Sequence, residues 1–261
     1  MRVLGWVLFA ATCVLFALEG FFLGASTFPM TSYEVLVDQA FPLLGIGAMV
    51  GAGVGALIVS RYPRNLVGWL FLIGQLGNAI GLAAEAFRVL VVQGVVHSPV
   101  AGQVAGYLGQ VFSTIFAVSV ISVVFMIVPD GRLLSRRWRL GIGVPIAAVA
   151  MNWLGIALLP AGAFVPGAVV ELQGFGETLA DVLISASFFA MLLSISLGAV
   201  ALILRMRRST GQQRLQLRWI ATGAAVLAVT FVVFAVSQLV NRRATPWICR
   251  RRRAWPTSSS R

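Results

Sequence analysis

Apolar residues in this chain run in long unbroken stretches, without the alternation of a half-buried strand or the single stripe of a surface helix. A stretch of about 18 or more residues with few charges is long enough, at 1.5 Å per helical residue, to cross a hydrocarbon core of ~30 Å. Seven such stretches stand out, at about 3–24, 41–60, 66–87, 104–128, 140–163, 183–204 and 219–240. Lipid offers no partner to backbone N–H and C=O groups, so each stretch is expected to be an α-helix, and the lack of period-two alternation argues against a barrel. The predicted fold class is all-α: a polytopic integral membrane protein with seven transmembrane helices, one domain over 1–240 and a tail over 241–261. The first stretch follows Arg2 and ends near Gly24, Ala25 and Ser26, as a secretory signal would. Its apolar length exceeds the ~7–15 residues of a signal core, so it reads as a retained helix.

Composition agrees: 59% of the 261 residues are hydrophobic and 11% charged, against roughly 45–50% and about 25% in soluble domains. The net charge is +12, with 20 basic residues, all arginine, and 8 acidic ones. These arginines punctuate apolar runs rather than cover a polar face, which excludes a nucleic-acid partner. Their placement sets an orientation by the positive-inside rule. With the N-terminus in the cytoplasm, Arg2, Arg61, Arg64, Arg132, Arg136, Arg137, Arg139, Arg205, Arg207, Arg208, Arg214 and Arg218 all fall inside, and only Arg88 falls outside before the tail. Glu34, Asp38, Glu85, Glu171, Glu177 and Asp181 lie in or beside the outside loops. The tail breaks this order, because Arg242, Arg243, Arg250 to Arg253 and Arg261 follow a seventh span. It has no acid, no periodicity and no apolar run, and it reads as an aberrant, out-of-frame or disordered end.

The outside connections are each under about twenty residues, too short to build a core of their own. Cys13 lies in a span and Cys249 in the tail, so no structural disulfide is expected. His97 has no companion ligand for a metal, and neither a G-x-S-x-G nor a lysine-bearing phosphate loop occurs. Neither a catalytic site nor a cofactor is therefore predicted. Glu19 and Glu85, late in the first and third spans, are expected to snorkel to the outer headgroups. Gln75, Asn78, Asn152 and Gln238 are amides suited to bonds between helices. With no deep carboxylate expected, active transport is disfavoured. Gly47, Gly51 and Gly55, and Gly77 with Gly81, recur at four-residue spacing, which lets helix backbones approach closely within the chain or across a subunit interface. Pro129-Asp130-Gly131 should end a helix, glycine supplying positive φ, with Asp130 paired to Arg132 or Arg136.

Three inside connections, read together, resemble one family. Pro63-Arg64-Asn65-Leu66-Val67-Gly68-Trp69-Leu70 is similar to its "NPIGWL" motif. Val128-Pro129-Asp130-Gly131-Arg132-Leu133-Leu134-Ser135-Arg136-Arg137-Trp138-Arg139 is similar to "FPDGRLPSRRWR", the most specific of the three. Arg207-Arg208-Ser209-Thr210-Gly211-Gln212-Gln213-Arg214-Leu215-Gln216-Leu217-Arg218-Trp219 is similar to "RRSRGVERQQLKW". The family is the multi-span N-terminal sensor region of actinobacterial two-component histidine kinases, over about residues 1–240. The resemblance implies a truncated, non-enzymatic input module in the bacterial cytoplasmic membrane, passing a signal inward by shifts of helix packing. Its relay residues would be Gly68, Trp69, Pro129, Asp130, Gly131, Arg132, Arg136, Arg137, Trp138, Gln213 and Trp219. Arg64 and Leu134 depart from the motifs, and no segment resembles the phosphorylated dimerisation helix or the ATP lid. The implied partners are anionic lipid headgroups, a second copy in a homodimer, and a kinase core or other protein acting in trans. Two rival readings are a small permease-like transporter and a structural subunit of a membrane complex.

Overall fold

The computed structural model describes residues 2–26, 41–112, 114–128, 131, 133–159, 164 and 174–208. Among these, every regular element is a helix: α1 (Arg2–Ala25), α2 (Leu43–Arg61), α3 (Leu66–Val92), α4 (Pro99–Val111), α5 (Thr114–Ile127), α6 (Trp138–Ala157) and α7 (Phe175–Arg208). Taking α4 and α5 as one span, six spans among the described residues are long and apolar enough to cross a membrane. The chain is thus helical, with the long apolar helices that a membrane protein requires. The predicted seventh span, 219–240, and the tail, 241–261, lie outside the described residues. The chain divides into two compact units, 1–204 and 205–261, and the description below concerns the first.

Two starts fall earlier than the apolar pattern suggested, because polar residues cap helices there. Ser98 accepts from the Ala101 amide at 3.4 Å and Pro99 occupies the first turn, so the fourth span begins at Pro99 rather than near 104. Glu177 reaches back to the Gly174 amide at 2.9 Å, and α7 begins at Phe175, eight residues before the predicted 183. Glu177 and Asp181, read as in or beside a loop, therefore sit in its opening turns, and Glu177 in the first turn complements the helix dipole.

Helix α3 is the centre of the bundle, packed by α1 and α2 on one side and by α4 and α5 on the other. Small residues explain this. Lipid is as apolar as leucine, so helices associate where backbones come close, not where hydrophobicity is greatest. Along α3 the buried positions include Gly68, Gly74, Gly77, Ala79, Gly81, Ala83 and Ala86. A methyl on Gly68 would stand 2.8 Å from the Ile58 side chain of α2, and one on Gly74 2.8 Å from Val120 of α5. Helix α6 packs on α5. Helix α7 lies against both, with Gly155 of α6 close to Ile184 and Gly198 close to the Ser122 carbonyl of α5. The α5–α7 seam is polar: Ser122 donates to the Val118 carbonyl at 2.8 Å, and the buried Ser194 hydroxyl lies 3.1 Å from Ser122 and 2.8 Å from the Met191 carbonyl.

Candidate functional site

Arginines gather at one end of the bundle, and two of the motif-bearing connections lie there. Between α2 and α3, Tyr62 and Asn65 close a tight turn by a backbone bond of 2.9 Å. Asn65 Oδ1 then accepts from the Val67 amide at 2.9 Å, satisfying a donor that the first turn of α3 leaves open. The Trp69 indole donates back to the Pro63 carbonyl at 2.8 Å, so the ring fastens the turn to the helix it precedes. Gly68 faces α2, where its missing side chain lets the turn stay short. Gly68 and Trp69 accordingly belong to one local structure, the turn that joins α2 to α3.

Between α5 and α6, Gly131 has φ of 68°, the left-handed conformation expected of the Pro-Asp-Gly turn. Pro129, Asp130 and Arg132 lie outside the described residues, as do Gln213 and Trp219. Backbone bonds from Trp138 to Ser135 and from Arg139 to Arg136 wind the chain into α6. Arg136 and Arg137 are exposed there, and the Trp138 ring lies beside Gly141.

The small-residue stripes are used unequally. A methyl on Gly55 would meet the Gly68 carbonyl at 2.9 Å, one on Gly51 the Gln75 side chain at 2.8 Å, and one on Gly81 the Phe112 carbonyl at 2.5 Å. Gly77 holds the rings of Phe112 and Phe116. These four are covered by the chain's own helices. Gly47 has open space around it.

Glu19 corrects the sequence reading. It does not snorkel: it is 2% exposed, beside Gly45 of α2, and makes no hydrogen bond to a described residue. Its helical phase decides this. It shares a face with Thr12 and Leu23, and both are buried. Glu85 is half-buried and accepts from Arg88 Nε at 2.8 Å and from its Nη2 at 2.5 Å, a pair that lies against Gly106 and Gly109 of α4.

The fourth span holds the feature that periodicity did not reveal. It is two helices: α4 ends at Val111, Phe112 follows with φ −98° and ψ 30°, and α5 starts at Thr114. A continuous helix would offer the Gln110 and Val111 carbonyls to the amides of residues 114 and 115. Here Asn152 Nδ2 donates to the Gln110 carbonyl at 3.3 Å, and the Trp153 indole donates to the Val111 carbonyl at 2.8 Å. Each backbone polar group left without a partner in hydrocarbon costs several kcal/mol, so two donors from α6 make the interruption tolerable. The Trp153 ring stacks on Phe116 at 6.3 Å, and Phe116 meets Phe112 edge-on at 5.4 Å. On either side of these bonds lies a groove open at the bundle surface. One, of about 300 Å³, is lined by Tyr107, Leu108, Ile156 and Leu159. The other, of about 280 Å³, is lined by Val120, Val123, Pro145 and Val149. Asn152 was among the amides expected to bond between helices; Trp153 was not, although an indole donor next to an amide in an apolar run was the available signal.

Among the described residues, no group of three His, Cys, Asp or Glu side chains could hold a metal ion. Comparison with protein-family models, curated proteins and solved structures finds no match for this chain.

Proposed function

We propose that this chain is a membrane input module similar to the multi-span sensor region of actinobacterial histidine kinases, without catalysis of its own. It crosses the bacterial cytoplasmic membrane seven times, with its N-terminus and arginine-rich end in the cytoplasm. The observation that carries the reading is that the motif residues Asn65, Gly68 and Trp69 build a bonded turn tying α2 to α3 at that end. A turn of this kind passes a shift of one helix to the next. The exposed Arg61, Arg64, Arg136, Arg137 and Arg139 fit an anionic leaflet, each contributing roughly 1 kcal/mol of attraction. The test is a kinase core fused after residue 240, directly or through an added span, with autophosphorylation measured in liposomes. Trp69→Ala and Gly131→Val are expected to change its rate at least about threefold, through altered helix positions. Equal rates in all variants would overturn the reading.

A small transporter is the second reading, favoured by the buried Glu19 and by the broken fourth span, since interrupted helices and intramembrane carboxylates mark transport sites. Solute or proton flux in proteoliposomes, abolished by Glu19→Gln, would decide for it.

A further inference from the structure

We propose that the fourth span is a two-state element whose state is set by Asn152 and Trp153. The two donors are adjacent on α6 and hold adjacent carbonyls of α4, Gln110 and Val111, so one displacement of α6 withdraws both. On the α3 side the interruption has no slack, because the Phe112 backbone sits directly on Gly81 and Phe116 on Gly77. On the α6 side two grooves of about 300 and 280 Å³, open at the bundle surface, bracket the two bonds, so α6 packs less closely against the span on either side of them. Once the donors leave, the Gln110 and Val111 carbonyls find their replacement in the amides of residues 114 and 115, which joins α4 and α5 into one helix. A displacement of α6 is thereby converted into a change of direction of α4. This goes beyond the sensor reading and does not depend on it, since the two states are seen without any kinase or transport assay.

The full chain, with Cys13→Ser and Cys249→Ser, is placed in lipid nanodiscs with spin labels at Val100→Cys and Leu140→Cys. Those positions are 73% and 82% exposed, at the start of α4 and near the start of α6. In the Asn152→Ala/Trp153→Phe double variant, the mean distance is expected to shift by at least about 3 Å as α4 swings. The amides of residues 114 and 115 are expected to exchange roughly tenfold more slowly, because they have gained helical partners. Trp153→Phe alone keeps the ring on Phe116, and if the double variant fails to fold the single one decides by the same two measurements. An unchanged distance distribution, or faster exchange at residues 114 and 115, overturns the proposal. A lower melting temperature with an unchanged distribution does so too, because it would mean the two side chains only add stability.

Discussion

Glu19 is 2% exposed inside a helical bundle, with Gly45 against its carboxyl group. Burying a polar group without a hydrogen bond costs roughly 1–3 kcal/mol by mutational measures, and no described residue supplies one to Glu19, so an apolar side chain of similar length tests whether the carboxyl is compensated. Glu19→Met is expected to raise thermal stability in detergent by an amount in that range, and a loss of stability would show that the carboxyl has a partner. The glycines divide in the same way. Gly81→Ala puts a methyl 2.5 Å from the Phe112 carbonyl, a backbone atom that cannot turn aside, and overpacking of this kind costs about 1–3 kcal/mol. Gly47→Ala meets open space and is expected to be neutral or mildly stabilising, since alanine favours helix by up to about 1 kcal/mol over glycine. Denaturant titration of the two variants side by side checks both, and equal effects would contradict the packing described for α3.

At the scale of elements, what matters is where backbone groups find partners at helix ends. Asn65 caps α3 at 2.9 Å, and Asn65→Ala is expected to cost ~1 kcal/mol. Trp69→Phe keeps an aromatic side chain and removes the 2.8 Å bond to the Pro63 carbonyl, a loss of about 0.5–1.5 kcal/mol for the bond alone. The two share one turn, so their double variant should lose less than the sum of the single losses; strict additivity in unfolding measurements would show that cap and indole act separately. Helix starts at Ser98 and Gly174 follow the same logic, because polar caps extend a helix beyond its apolar run. Hydropathy windows weigh the run and miss the cap. The interruption at Phe112 escaped them for a related reason: Leu108, Val111, Phe112 and Phe116 are apolar whether the backbone is helical or broken, and the partners of the freed carbonyls lie some forty residues away on α6.

For the whole molecule, the arginine asymmetry carries an orientation that labelling can check. His97→Cys, in the exposed connection between α3 and α4, is expected to react with an impermeant thiol reagent on intact cells. Arg136→Cys, at the opposite end, is expected to react only after permeabilisation. The reverse pattern would overturn the cytoplasmic placement of the arginine-rich end. The motif between residues 63 and 70 could be read from the chain as a pattern; its cap and indole bond lie within the motif itself, whereas the close approach of Gly68 to Ile58 appears only once α2 and α3 are side by side. Gly68 and Trp69 differ in this respect: the Trp69 bond is local to the turn, and the Gly68 contact is not.

The sequence by itself determined that this chain is helical, with runs long and apolar enough to cross a membrane, because the cost of bare backbone in hydrocarbon leaves such runs no other regular form. It also determined the arginine bias between the two ends and the left-handed turn at Gly131. Tertiary structure decided which faces meet, that Glu19 points inward, and that the fourth span breaks where α6 supplies donors. The reason is the solvent. Water sorts apolar from polar positions and so writes the inside of a soluble protein into its sequence pattern, whereas lipid accepts an apolar residue on every face and leaves packing to small residues and a few hydrogen bonds.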